Sequence, residues 1–253
     1  MSLIESPDIE QVALIIPASG VGKRLGAEIP KQYITLLNLP LLEHTLRKFL
    51  ALPFIAKIVV SLAENDVWFS TLPSASHAKI HIVAGGKERA DSVLNGVREA
   101  NKMGFRNVMV HDAARPCVLV SDIKSLYENG INNSRSTILG TRVRDTMKRT
   151  VANEQGEHGI QGCAAIGKTV DRNDLWHAFT PQFCKTEELL TALEQQLDPQ
   201  GLVSKRVTDE ASALELAGIP VDIINSSARN IKVTEPDDIE LATYYLESEK
   251  HEY

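Results

Sequence analysis

Two short segments carry the residue types that handling a polyphosphate requires. The first is Pro17-Ala18-Ser19-Gly20-Val21-Gly22-Lys23-Arg24-Leu25-Gly26, followed by Pro30-Lys31-Gln32. Gly20 and Gly22 let the backbone come close to a phosphate and offer it N–H groups. Lys23, Arg24 and Lys31 add three positive charges within a short span. The chain as a whole has a formal net charge of −6, so this cationic cluster is a local device. It is neither of the two commonest phosphate loops. No segment reads GxxxxGK[ST], and the glycines run GxGxxxG where a dinucleotide loop needs GxGxxG. No acid directly ends the next strand to hold a ribose, although Glu64 comes close. The bland alternative is a strand-to-helix turn with solvated basic side chains. The second segment is Gly85-Gly86 with Arg89 and Ser92. Glycines at a helix start offer backbone groups to the edge of a base; an ordinary helix start is the alternative.

His111-Asp112 closes another apolar run. A carboxylate at the end of a strand, facing a triphosphate, is repelled unless a cation intervenes. Mg²⁺ is the natural one, because it keeps waters and bridges phosphates. An Asp capping the following turn is the alternative. His111 reads as structural, and the seven histidines show no metal-ligand spacing. The three cysteines, Cys117, Cys163 and Cys184, are odd in number and lack a CxxC pair. Neither a disulfide framework nor a zinc site is expected, and a reducing cytoplasm is the default.

The elements that must position these residues alternate between strand and helix. Val12–Ile16 is an apolar run ended by Pro17, which suits a buried parallel strand. Further strands are expected at Ala56–Leu62, Lys79–Val83, Asn107–Val110, Ser136–Leu139, Val221–Ile224 and Asn230–Val233. Helices are expected at Leu41–Leu52, over Lys87–Met103, from a Ser121 cap to about Asn129, at Thr186–Leu197, at Thr208–Ala217, and from a Thr234 cap to about Glu247. The stretch from about Arg142 to Arg172 breaks the pattern and reads as a long loop or an extended hairpin. The simplest architecture is one α/β domain over residues 1–253, Rossmann-like, with a doubly wound, mostly parallel sheet and residues 142–172 as an excursion.

Composition bounds the partners. With 253 residues, 43% hydrophobic and 24% charged, the chain is an ordinary globular mix. Its acidic balance argues against non-specific binding to nucleic acid or an anionic membrane. No run approaches the length of a transmembrane helix, and the N-terminal segment has acids where a signal peptide needs bases.

The glycine loop resembles the PAAGxGxR signature of sugar nucleotidyltransferases, with Ser19 in place of the usual second Ala. His111-Asp112-Ala113-Ala114-Arg115-Pro116, Arg144-Asp145-Thr146-Met147-Lys148 and Thr169-Val170-Asp171-Arg172 follow in order. Thr180-Pro181-Gln182, Thr208-Asp209-Glu210-Ala211-Ser212-Ala213 and Asn230-Ile231-Lys232-Val233-Thr234 complete the set. Together they resemble the 2-C-methyl-D-erythritol 4-phosphate cytidylyltransferases of non-mevalonate isoprenoid biosynthesis, from about Val12 to Leu246.

That resemblance implies transfer of a cytidylyl group from CTP to methylerythritol phosphate, with release of pyrophosphate. It implies Arg24 and Lys31 as stabilisers of the transition state, and Arg172 and Lys232 as the residues orienting the acceptor phosphate. Pro17, Ala18, Ser19, Gly20, Gly22, Lys23, Gly85, Gly86, Arg89, Ser92 and Ala113 are the implied nucleotide contacts. Asp112, Arg115, Thr146, Arg172, Thr208 and Lys232 are the implied acceptor contacts, with Asp112 also beside Mg²⁺ or another divalent cation. Residues 142–172 become a β-arm reaching over a second subunit, so the expected working unit is a homodimer with shared sites. An insert around Ala152–Gly162 departs from the compact family form. A cytidylyltransferase for another alditol phosphate, such as ribitol 5-phosphate, and a non-enzymatic nucleotide-binding regulator are the other readings. A nicotinamide dehydrogenase is disfavoured by the loop chemistry.

Overall fold

A computed structural model describes residues 9–20, 29–151 and 164–249. The first strand, β1 (Val12–Pro17), lies inside the main sheet, and its residues Val12 to Ile16 are all fully buried. Alternate side chains of a strand face opposite ways. Val12, Leu14 and Ile16 therefore enter one apolar cluster, with Leu46 and Phe49. Ala13 and Ile15 enter another, with Val93 and Val97. Burying each such aliphatic side chain contributes about 1.5–3 kcal/mol, so β1 is the strand from which both layers are built.

In chain order there follow the short pair β2 (Thr35–Leu36) and β3 (Leu39–Pro40), helix α1 (Leu41–Leu50), β4 (Ile55–Leu62) and β5 (Ile80–Ala84). Next come α2 (Arg89–Lys102), β6 (Asn107–Val110), α3 (Val120–Asn133) and β7 (Thr137–Arg142). The hairpin strands β8 (Met147–Val151) and β9 (Ala165–Val170) precede β10 (Trp176–Lys185), α4 (Thr186–Glu194), α5 (Glu210–Leu216), β11 (Asp222–Asn225) and α6 (Pro236–Glu249). The main sheet has seven strands in the order β11-β7-β10-β6-β1-β4-β5. The β1–β4, β1–β6, β4–β5 and β7–β11 pairs are parallel, while β10 runs antiparallel to both β6 and β7. Helix α2 lies close on β1, since a Cβ at Gly96 would stand 2.5 Å from Cγ2 of Ile15. Among the described residues no helix is long and apolar enough to cross a membrane.

Four expectations need correction. Strand β10 was not among the expected elements. Pro181 interrupts its sequence, and its register shifts between Phe179 and Gln182, so its pattern lacks the clean run of a buried strand. Asn230–Val233 is not a strand. It crosses beneath α6, held by Val233 N donating to Ala114 O at 2.8 Å and by Val233 packing with Leu36, Leu41 and Leu246. Ser121 lies within the first turn of α3, whose cap is Leu119. Thr234 does not cap α6; its N–H and hydroxyl both donate to Asp238 of that helix.

The irregular stretch resolves into a ribbon. Strands β8 and β9 pair antiparallel with each other, from Met147 opposite Val170 to Val151 opposite Ala165. Every β8 residue is exposed, and Met147, Val151 and Ile166 expose 37%, 48% and 63% of their surface. A two-stranded ribbon is marginal alone in water, so these apolar groups matter below. The insert around Ala152–Gly162 lies outside the described residues.

Candidate active site

The C-terminal ends of β1 and β6, with the start of α2, open onto a cleft of about 230 Å³. Open α/β sheets bind ligands at this edge. Pro17, Ala18, Ser19 and Gly20 form one wall, and Arg89, Asp112, Ala113, Lys31 and Lys232 line the remainder. A larger cavity of about 660 Å³ lies at the opposite strand ends, beside Asn107 and Lys185. It holds none of the residues implied by the sequence.

Backbone geometry explains the nucleotide wall. The Ser92 hydroxyl accepts from Gly86 N at 2.9 Å, donates to Glu88 O at 3.1 Å and shares a 2.7 Å hydrogen bond with the Ser19 hydroxyl. Ser19, the departure from the usual Ala, therefore ties the first loop to the second. A Cβ at Gly85 would lie 2.4 Å from Ser19 Cβ, and one at Gly86 2.2 Å from Asp91 Cβ. Gly85 is required because the two loops touch, and Gly86 because the chain turns tightly against the first turn of α2. Glu88 and Asp91 form a reciprocal capping box that starts α2 at this point. Gly85→Ala should push the two loops apart and raise the KM for CTP, the nucleotide the sequence resemblance implies, about tenfold or more, at the overpacking cost of roughly 1–3 kcal/mol. Steady-state kinetics with an unaltered KM would show that the loops do not meet around the nucleotide.

Lys31 reaches the same cleft from a 3₁₀ turn, Lys31–Tyr33, with Nζ 3.4 Å from Val233 O. Its neighbour Gln32 is buried and donates to Ala18 O at 2.8 Å, which pins the turn to the glycine loop. Pro30-Lys31-Gln32 is thus a unit in which the buried amide positions the half-buried cation.

The centre of the site is a cluster of charges. Asp112, 6% exposed, accepts from Arg89 Nε at Oδ1, 2.8 Å away. Its Oδ2 faces Lys232 Nζ at 3.0 Å and Arg115 Nε at 3.4 Å. Burial alone would raise the Asp112 pKa, but Arg89, Lys232 and Arg115 together outweigh it and hold the carboxyl far below the usual range. Arg89 in turn gives its terminal nitrogens to Glu210, at 2.8 and 3.2 Å. Burial pushes the Glu210 carboxyl up, and Arg89 opposes that shift.

A neutral scaffold holds this cluster from behind. The pKa of buried His111 is pushed down to about 3 by desolvation, so its ring is neutral at ordinary pH. Its Nε2 lies 3.1 Å from Arg115 O and its Nδ1 3.1 Å from Thr180 Oγ1. Thr180 also accepts from Asp112 N at 3.1 Å. Asn230 donates to Thr180 O at 2.7 Å and accepts from Arg115 at its own carbonyl, also at 2.7 Å. The structural reading of His111 is correct. Thr180, Asn230 and Glu210 had no role in the sequence reading; each lay unassigned inside a quoted motif.

The remaining implied residues divide into groups. Arg115 sits behind Asp112, over the Phe179 ring at 5.1 Å. Thr208 precedes α5, with its N–H donating to Ser212 Oγ at 2.9 Å. Thr146 and Arg172 stand at the base of the ribbon, exposed, and Arg172 donates to Arg144 O. None of these four is among the residues lining the cleft. Gly22, Lys23, Arg24 and Cys163 lie outside the described residues. Among the described residues no three His, Cys, Asp or Glu side chains gather as a metal cage. Asp112 offers a carboxylate in the cleft beside the glycine loop, which fits a hard cation drawing its other ligands from phosphate and water.

Comparison with known proteins agrees with this geometry. The family model described as 2-C-methyl-D-erythritol 4-phosphate cytidylyltransferase (IspD) matches residues 12–248. Proteins of that name from Colwellia psychrerythraea and Vibrio parahaemolyticus are 44% and 45% identical to the chain. The alignments cover 92% of this chain and 93% of the Colwellia protein, and 97% of this chain and 99% of the Vibrio protein. The crystal structure of the Francisella tularensis 2-C-methyl-D-erythritol 4-phosphate cytidylyltransferase superposes with a TM-score of 0.74 at 35% identity, covering 93% of this chain and 99% of that one. The α/β sheet, the glycine wall and the match along nearly its whole length establish that this chain belongs to the 2-C-methyl-D-erythritol 4-phosphate cytidylyltransferase family.

Proposed function

We propose that this cleft transfers a cytidylyl group from CTP to 2-C-methyl-D-erythritol 4-phosphate, giving 4-diphosphocytidyl-2-C-methyl-D-erythritol and pyrophosphate. The observation that carries the reading is the convergence of the glycine wall, Lys31, Asp112 and Lys232 on one small cleft. An oxygen of the acceptor phosphate attacks the α-phosphorus, the bond to the β-phosphate bridge breaks, and its electron pair leaves with pyrophosphate. The attacking oxygen is already anionic, so no general base and no protein nucleophile is required. Positioning and charge neutralisation are the whole demand.

Each residue has a part in that demand. Ser19, Gly85, Gly86 and Ser92, with Pro17, Ala18, Gly20 and Ala113, shape the nucleotide end. Lys31, with Lys23 and Arg24, neutralises charge that grows on the phosphates. Lys232 is held at Asp112 until an acceptor phosphate draws it, and Arg115 stays behind to keep Asp112 ionised. Mg²⁺ or another divalent cation at Asp112 would screen the triphosphate when bound. The exposed apolar side chains of the ribbon fit burial against a second copy of the chain. A homodimer would then bring Thr146 and Arg172 over the partner's cleft, with Thr208 completing the acceptor site. Nothing in the cleft calls for nucleic acid or a membrane, and a cytoplasmic enzyme is consistent with this chemistry.

Pyrophosphate release with CTP and Mg²⁺ tests the reading, using methylerythritol phosphate, ribitol 5-phosphate or no acceptor. Release with methylerythritol phosphate alone is expected. Release with ribitol 5-phosphate in its place would keep the chemistry and replace the acceptor. Folded protein that binds CTP but releases nothing would leave a nucleotide-binding module.

A further inference from the structure

We propose that Glu210 is a positioning residue for the acceptor end of the cleft. By holding the Arg89 fork, it restricts Arg89 to a single contact with Asp112 and keeps the second oxygen of Asp112 for Lys232 and Arg115. The inference rests on the reading of Asp112 and Lys232 given above.

Glu210 does not line the cleft, yet it is 2% exposed and paired with a residue that does. Its backbone is clamped from two sides. Asp209 caps α5 by accepting from Ser212 N at 2.9 Å. Gln182 of β10 donates to Asp209 Oδ2 at 2.9 Å and accepts from Ala211 N at 2.9 Å. The Glu210 side chain is thereby presented to Arg89 in a fixed place.

Guanidinium and carboxylate prefer a two-pronged contact, fork to fork. Arg89 meets two carboxylates and gives the fork to only one. Nη1 and Nη2 go to Glu210, and Nε alone goes to Asp112 Oδ1. Without Glu210 the same fork would be available to both oxygens of Asp112. It would compete with Lys232 and Arg115 for Oδ2, the side from which Lys232 must be released to an incoming phosphate. A buried ion pair is often no more stable than an apolar pair of the same volume, so stability alone does not call for this arrangement. The geometry also turns the fork of Arg89 toward Glu210, which makes Arg89 the link in this chain of contacts.

The test compares Glu210→Gln with the unaltered enzyme, and with Glu210→Asp, which keeps the charge but is one methylene too short to hold the Arg89 fork in its present place. Turnover, the KM for methylerythritol phosphate, the CTP dissociation constant by calorimetry and the melting temperature are measured for each. In Glu210→Gln, turnover should fall and the acceptor KM should rise, each about tenfold or more, while the CTP constant stays within about threefold. Glu210→Asp should show a smaller loss of the same kind, in turnover and acceptor KM with the CTP constant again within about threefold, which also covers failure of Glu210→Gln to fold. Turnover and acceptor KM at unaltered values in either folded variant would overturn the inference. So would a loss of CTP affinity in step with turnover, the mark of general damage. If the unaltered enzyme releases no pyrophosphate with methylerythritol phosphate, the functional reading has failed first; an active enzyme with an indifferent Glu210 sinks only the positioning role.

Discussion

Asp112→Asn is expected to lower kcat/KM by roughly 10²–10³, the range for removing one preorganised charge contact, and to destabilise the fold by about 3–5 kcal/mol. The two effects have one cause. Arg89, Arg115 and Lys232 converge on this carboxylate, and an amide cannot neutralise them. The loss of stability should depend on pH in a definite direction. The Asp112 carboxyl is held below its ordinary range in the folded protein, while in the unfolded chain it titrates near pH 3.9. A depressed carboxyl contributes stability that is fully present above its unfolded value and is lost as pH falls toward its folded one. The stability gap between the unaltered protein and Asp112→Asn should therefore be constant near neutrality and narrow below about pH 4. Urea titrations from pH 3 to pH 7 would measure it. A gap that stays the same across that range would mean that the charge of Asp112 does not hold the cluster together.

The second large effect is a recovery. Arg172→Ala and Lys232→Ala should each be nearly inactive. Arg172 is exposed at the ribbon, and Lys232 is in the cleft. If the ribbon serves the partner's cleft, a mixed dimer of the two variants has one doubly altered site and one intact site. Random exchange makes half the dimers mixed, so about a quarter of the unaltered activity should return. Both variants are mixed after subunit exchange has been shown, and pyrophosphate release is followed. No recovery would place Arg172 and Lys232 in the same subunit's site and remove the main reason for a shared one.

Several parts of this molecule could be read from residue types alone. Val12–Ile16 is apolar on both faces, a pattern that suits a doubly covered strand, and it lies inside the sheet between β6 and β4. Gly85-Gly86 preceded a clear amphipathic helix, and the loop-to-helix junction stands where the pattern put it. Asp112 followed a short apolar run, so its place at a strand's C-terminal end was legible as well. Strand β10 was not, because its half-exposed, proline-interrupted sequence matches no periodicity. It forms because β6 and β7 leave a gap between them that it fills.

The sequence by itself determined the class of the fold, the glycine loop after β1 and the place of Asp112 at the end of β6. Local patterns decide these, through strand period, glycine permissiveness and charge. Tertiary structure alone decided how the charges are partnered. Arg89 and Glu210 are far apart in the chain, as are Lys232 and Asp112, and their contacts exist only because β6, α2, α5 and the 230–233 segment meet at one edge. Pairing between distant side chains depends on packing distances that no local spacing encodes. The same limit explains why Thr180, Asn230 and Glu210 gained roles only when the chain was folded.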